Sequence, residues 1–275
     1  MSTELIALRE AQLTLAGGIA TFTHRQPAAR NALSLELRED YADMLERVEG
    51  DRSLRALIIT GSGGSFCAGG DIRSLKQRQL SDDPEINSAN AMRLRIRRLH
   101  GWLERLRGLE IPVIAAVDGP AYGAGFAIAL LADFILASER ASFCMPFARL
   151  GLVPDSGALY SLPRAVGLQK AKELLFSARR VGVEEARELG LVLSIHTPDE
   201  LPAAAQHLAQ RFLAAPRDAL AMSKRLLNQS HETGWSTMAE LEGLAQGVAS
   251  TAPYHAEAVS AFLRSEPARF DWDRD

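Results

Sequence analysis

Hydrophobic and polar positions first alternate from Leu13 to Thr23 (LTLAGGIATFT), in two runs that flank Ala16-Gly17-Gly18. Alternation on both sides of a glycine pair predicts a β-hairpin. From Leu37 the period changes. Leu37, Tyr41, Met44, Leu45 and Val48 recur at three- and four-residue spacing, which predicts an amphipathic helix with Ser34 as its N-cap and Gly50 at its end. Ala56 to Thr60 (ALIIT) is short, apolar and β-branched, as a buried strand is. The order then returns. A second helical stripe passes through Met92, Ile96, Leu99, Leu103 and Leu106. It is followed by an apolar run from Pro112 to Val117, a helical segment from about Ala124 and another strand run from Phe134 to Ala137. The polar stretch from Gln77 to Asn87 reads as a mobile connection. Strand-helix alternation of this kind predicts an α/β layered core.

After residue 197 strand signals stop and alanine-rich helical periodicity takes over, through Leu201, Ala205, Leu208 and Phe212, then Ala219, Met222 and Leu226, then Met238 to Val248. A segment so small and apolar does not stand alone. Two parts are therefore expected: a core over residues 1–197, and a helical segment over 198–275 that packs on the core or on another subunit.

Composition narrows the function. The 275 residues carry 31 Lys plus Arg against 34 Asp plus Glu, a net charge of −3, which argues against a dedicated nucleic-acid binder. The arginines crowding the second stripe (Arg93, Arg95, Arg97, Arg98, Arg105 and Arg107) are read as a solvated face. Two cysteines make neither a disulfide scaffold nor, alone, a structural zinc site, so a reducing cytoplasm and no metal are expected. The opening MSTELIALRE lacks the apolar core of a secretory signal. The most apolar stretch, Ile111 to Ala137, contains Asp118, Pro120 and Asp133 and is read as a buried strand, turn and helix, with no membrane span.

Two glycine-rich turns are the candidate chemistry. One is Gly61 to Ile72 (GSGGSFCAGGDI), straight after a strand. The other is Asp118 to Gly125 (DGPAYGAG), between a strand and a helix. Glycine at this density lets backbone approach a ligand closely, and a strand-turn-helix junction aims unpaired N–H groups at one point. Neither turn contains the GK[ST] of a phosphate loop, and Phe66 stands where the third glycine of a dinucleotide fingerprint belongs. Arg73 and Lys76 follow the first turn and are candidates for contact with phosphates.

Several strings, in order, resemble one family. Phe66-Cys67-Ala68-Gly69-Gly70-Asp71-Ile72 is similar to the first signature of the crotonase (enoyl-CoA hydratase/isomerase) superfamily, and Ile111 through Asp133 to its second. Pro27-Ala28-Ala29-Arg30-Asn31-Ala32-Leu33 resembles the family's early loop. Gly151-Leu152-Val153-Pro154-Asp155-Ser156-Gly157, then Leu162 to Gly167, resembles its third motif. The resemblance implies a spiral of ββα repeats with a helical C-terminal trimerisation segment, assembled as a homotrimer or dimer of trimers. It implies an acyl-CoA thioester as substrate, with no other cofactor, no nucleic acid and no membrane partner. By motif position, the backbone N–H groups of Ala68 and Ala124 are expected to form an oxyanion hole. The substrate is expected to touch Ala28, Arg30, Cys67, Gly69, Gly70, Asp71 and Ile72, and further on Tyr122, Gly123 and Phe147. Near the C-terminus, Phe262 and Phe270 match positions that line the CoA site, although Asp271 stands where a lysine often follows.

The two glutamates of the family's hydratases fall on Ala127 and Phe147, and neither side chain can move a proton. Asp155, in the mostly apolar stretch from Leu150 to Leu162, resembles the carboxylate of the superfamily's single-carboxylate isomerases. It is the expected catalytic residue; its alternative role is to cap the following helix. The function implied is an enoyl-CoA isomerase that shifts a double bond through an enolate. A hydratase or another crotonase-type reaction is the alternative enzyme, and a non-catalytic acyl-CoA binder is the alternative of another class.

Overall fold

The computed structural model describes residues 3–272. In chain order its strands and helices are β1 (Glu4–Ala7), β2 (Ala11–Ala16), β3 (Ile19–His24), α1 (Leu35–Gly50), β4 (Ala56–Gly61), α2 (Ile72–Gln79), α3 (Ala89–Arg107) and β5 (Val113–Val117). They continue with β6 (Pro120–Tyr122), α4 (Ala124–Ala129), β7 (Phe134–Ser138), β8 (Ser142–Cys144), α5 (Ala158–Val166), α6 (Leu168–Ser177), β9 (Arg180–Gly182) and α7 (Val183–Glu188). The last are β10 (Ser194–His196), α8 (Leu201–Arg211), α9 (Arg217–Gln229), α10 (Trp235–Ser250) and α11 (Pro253–Leu263).

The predicted hairpin is β2–β3, turned by Gly17 and Gly18 at φ of +58° and +83°. Ser34 caps α1 as expected, its Oγ accepting the Leu37 N–H at 2.9 Å. Strands pair in the order β1-β2-β3-β4-β5-β7-β10, antiparallel up to β3 and parallel from there on. A second sheet, β6-β8-β9, stands apart. The parallel strands need crossovers, which the helices supply, and they are apolar on both faces because both are covered. One face packs under α1 and α3. The other is closed by α8, whose Leu201, Ala205 and Leu208 sit against Ile58, Ile114 and Leu136. The core therefore extends past the boundary expected at residue 197. α9, α10 and α11 contain no buried residue and are the true appendage. Lys224 on α9 anchors it, donating to Asp133 at 2.7 Å and to the Ile111 carbonyl at 3.1 Å. No described helix is long and apolar enough to cross a membrane.

A polar pair lies inside the larger core. His24 donates from Nδ1 to the Phe66 carbonyl and accepts the Tyr41 hydroxyl at Nε2, both at 2.8 Å, which fixes a neutral tautomer. This ties β3 to the first glycine turn. Complete burial pushes the imidazole down from 6.5 to about 4, more than the Phe66 carbonyl and the Asp40 charge raise it. An unfolded chain takes up a proton below pH 6.5 that the folded chain refuses. The contribution of neutral His24 is thus complete above that pH and is lost on acidification toward pH 4, by about 3 kcal/mol. Urea unfolding from pH 7 to pH 4 is expected to show a steeper loss for the wild type than for His24→Gln; equal slopes would exclude this role.

Candidate active site

The two glycine turns are pressed back to back. Gly69 has φ +96°, and a Cβ there would stand 2.8 Å from the Tyr122 carbonyl oxygen. A Cβ on Gly125 would stand 2.2 Å from the Cys67 carbonyl oxygen. Only glycine permits this approach. The join is sealed by backbone bonds, with Tyr122 N–H donating to Cys67 O at 2.9 Å and Cys67 N–H to Pro120 O at 3.1 Å. Asn31, fully buried, adds a lock. Its Nδ2 donates to the carbonyls of Ser62 and Ser65, at 2.9 and 2.6 Å, and fastens the early loop to the first turn.

In front of the join opens a cavity of about 390 Å³, walled by the start of α1, the first glycine turn, α2, α3, the head of α4 and the loop from Pro146 to Ser156. This volume suits a small-molecule site. Ala124 is the first residue of α4, and its N–H has no partner inside the helix. Ala68 differs from expectation. Its N–H donates to the Arg30 carbonyl at 3.0 Å, so it is not free to meet a ligand oxygen. Two residues on, Gly70 lines the cavity, and among the described residues its N–H has no hydrogen-bond partner. A Cβ at Gly70 would meet nothing within 4 Å, because the space beside it is the cavity. Gly70 and Ala124 thus each bring to the cavity wall an amide that has no partner among the described residues.

Of the expected substrate contacts, Gly69, Gly70, Asp71, Ile72, Gly123 and Phe147 line the cavity. Cys67 and Tyr122 do not. Cys67 is completely buried behind the turn, and burial pushes its thiol up to about 11; Tyr122 points its hydroxyl at Ser142 Oγ, 3.1 Å away. Ala28 and Arg30 are exposed on the early loop and lie outside the cavity. Phe262, 81% exposed on α11, and Phe270, packed on the second hydrophobic cluster, do not reach it within this chain.

Asp155 lines the same cavity, half-buried. Its carboxylate does not cap α5. The N-cap there is Gly157, with no side-chain bond, and only the Asp155 backbone carbonyl accepts, from Ala158 N–H at 2.9 Å. The side chain takes one bond instead, from Ser156 Oγ–H to Oδ1 at 2.9 Å. Ser156 is buried at φ +56°, an uncommon backbone conformation for serine. The apolar stretch expected to shield Asp155 is open at the rim, where Val153 is 74% exposed. Asp71, the other carboxylate on the wall, is already committed. It caps α2 by accepting Arg73 N–H at 3.0 Å and also takes the Ser74 hydroxyl, bonds that hold it below the usual carboxylate range. Ser156 and three arginines on the wall, Arg38, Arg78 and Arg95, went unnoticed in the sequence or were read otherwise.

A family model described as enoyl-CoA hydratase/isomerase matches residues 14–273. The chain belongs to the enoyl-CoA hydratase/isomerase family of the crotonase superfamily. It is 32% identical over 254 residues to a 1,2-epoxyphenylacetyl-CoA isomerase of Escherichia coli (strain K12), covering 92% of this chain and 95% of the relative. It is 33% identical to a crotonyl-CoA hydratase of Syntrophomonas wolfei, over 92% and 94% of the two chains. The solved enoyl-CoA hydratase/isomerase of Cupriavidus metallidurans CH34 superposes with a TM-score of 0.90 at 40% identity, over 96% of this chain and 97% of that one. The crotonase fold and the helical C-terminal part agree with the resemblance. Names within the family cover different reactions, so the reaction has to be argued from the cavity.

Proposed function

We propose that the protein is an acyl-CoA isomerase that moves a carbon–carbon double bond through an enolate. One observation supports this above others: a carboxylate that among the described residues forms no ion pair and caps no helix, Asp155, shares a cavity with two unpaired backbone amides, those of Gly70 and Ala124. The amides donate hydrogen bonds to the thioester oxygen. Asp155 removes a proton from the α carbon, so that a C–H bond breaks and an O–H bond forms. The electron pair is shared between the thioester oxygen, where the amides hold the charge, and, through the neighbouring double bond, the γ carbon. The protonated Asp155 then returns the proton to the γ carbon, and the double bond lies one position nearer the thioester. Coenzyme A serves only as the carrier of the acyl group.

Hydration asks for a second proton-transfer group. Ala127 is buried in the core, Phe147 lines the cavity without an ionisable atom, and Asp71 is engaged with Ser74. The test is turnover of a panel of 3-enoyl-CoA thioesters of differing length. Conversion to the conjugated 2-enoyl-CoA is expected. A 3-hydroxyacyl product would mean hydration, and binding without conversion would mean a non-catalytic acyl-CoA binder.

The appendage has its own part. Leu244 and Val248 on α10, with Phe262 and Leu263 on α11, are each at least 60% exposed, more apolar surface than a lone chain normally leaves in water. We propose that α9–α11 cover this surface by self-association as a homotrimer or dimer of trimers. Light scattering at micromolar concentration is expected to give the mass of three or six chains; a monomer would contradict the assembly.

A further inference from the structure

One wall of the cavity has a positive charge that the proposed proton shuttle does not use. Arg38 comes from α1, Arg78 from α2 and Arg95 from α3, and all three line the cavity beside Asp155 and Gly70. Among the described residues none of them forms an ion pair. The Nε atoms of Arg38 and Arg78 are shut off from water with no hydrogen-bond partner. A buried donor without an acceptor is costly, and a guanidinium keeps its charge at any working pH. Burial and mutual repulsion lower both groups: Arg38 faces Arg78, and Arg78 faces Arg95. The acids within reach are Asp155, which faces Arg38, and Asp71, which faces Arg78 and is already spent on the α2 cap. Among the described residues neither acid forms an ion pair with these arginines, so the three guanidiniums lack a paired anion.

Building on the acyl-CoA reading above, we propose that this wall binds a carboxylate at the far end of the acyl chain, so that the substrates are CoA thioesters of dicarboxylic acids. A carboxylate accepts two parallel N–H bonds from one guanidinium, and Arg38 and Arg78 line the same cavity and repel each other electrostatically. Between the arginines and the unpaired amides the wall is apolar, with Met92, Ile96, Leu99 and Phe147 available to a short carbon chain. The phosphates of coenzyme A are the other anions such a substrate brings. They are separated from the thioester by the length of the pantetheine arm, whereas Arg38 lines the same cavity as Asp155 and the unpaired amides.

The test is calorimetric titration with saturated thioesters, which bind without reacting. Glutaryl-CoA, butyryl-CoA and free CoA are each titrated into the wild type, Arg38→Gln and Arg78→Gln, with circular dichroism as the check on folding. The wild type is expected to bind glutaryl-CoA at least about tenfold more tightly than butyryl-CoA. Each variant is expected to lose most of that preference with its affinity for free CoA unchanged, and Arg78→Lys, which keeps the charge, to retain part of it. Equal wild-type affinity for the two thioesters would overturn the proposal. So would a parallel fall in affinity for free CoA, which would assign the arginines to its phosphates. Failure of the folded wild type to bind any of the three would overturn the acyl-CoA reading together with this one, whereas loss of the glutaryl preference alone leaves that reading standing.

Discussion

Asp155→Asn is expected to reduce isomerase turnover by about 10²-fold or more while acyl-CoA binding survives, the usual scale for loss of a general acid–base. Asparagine keeps the size of the side chain and can still accept the Ser156 hydroxyl that bonds Oδ1 at 2.9 Å. It loses only the ability to take up and return a proton. The substitution does not disturb a cap, since α5 begins at Gly157 without side-chain help. Stability should therefore change little, which separates the chemical effect from a folding effect. The measurement is the initial rate on the best 3-enoyl-CoA, with dissociation constants for a saturated analogue determined alongside. Near-wild-type turnover in Asp155→Asn would move the base elsewhere on the cavity wall.

The second large effect belongs to the backbone. Gly70→Pro deletes one N–H, and Gly70→Ala keeps it while adding a methyl that meets no protein atom within 4 Å. If the Gly70 amide holds the enolate oxygen, the proline variant should lose about 10²–10³-fold in turnover, as loss of one oxyanion donor does in a well-studied protease. The alanine variant should stay within about tenfold of the wild type, a change no larger than a modest repositioning of the substrate would cause. Ala68 provides the contrast. Its N–H is held by the Arg30 carbonyl at 3.0 Å, so Ala68→Pro should act on the stability of the turn, read by thermal unfolding, with no separate effect on chemistry. Equal losses of turnover in Gly70→Pro and Gly70→Ala would remove the amide from the mechanism.

Much of the architecture could be read from periodicity. The hairpin at Gly17-Gly18, the Ser34 cap and the apolar strands that became β4, β5 and β7 each have a strong local signal, because local turn chemistry and two-sided burial dictate the residues. The three-residue strands β6, β8 and β9 are too short to show a period, and their pairing is set by the distant chain segments they meet. α8 looked like the start of the appendage because its alanine-rich stripe has no feature that names the surface it covers; only the sheet shows that Leu201 and Leu208 face β4, β5 and β7. In the site, Asp155 and Ala124 stood out through their motifs. The Gly70 amide did not, since whether an N–H is free depends on where the Arg30 carbonyl goes. Arg95 lay within a run of arginines that periodicity assigns to solvent, yet α3 turns that residue into the cavity while Arg93 and Arg97 stay outside. Arg38 and Arg78 carried no signal at all, because charged residues on amphipathic helices ordinarily face water and only the fold brings the walls of α1 and α2 to one cavity.

The central claim is that one carboxylate and two amides move a double bond without adding water. Mass spectrometry of the product formed from a 3-enoyl-CoA in heavy water tests it most directly. The account predicts a conjugated 2-enoyl-CoA with the mass of the substrate or a single deuterium more, depending on whether the proton held by Asp155 exchanges before it is returned. A product heavier by a whole molecule of heavy water would contradict it.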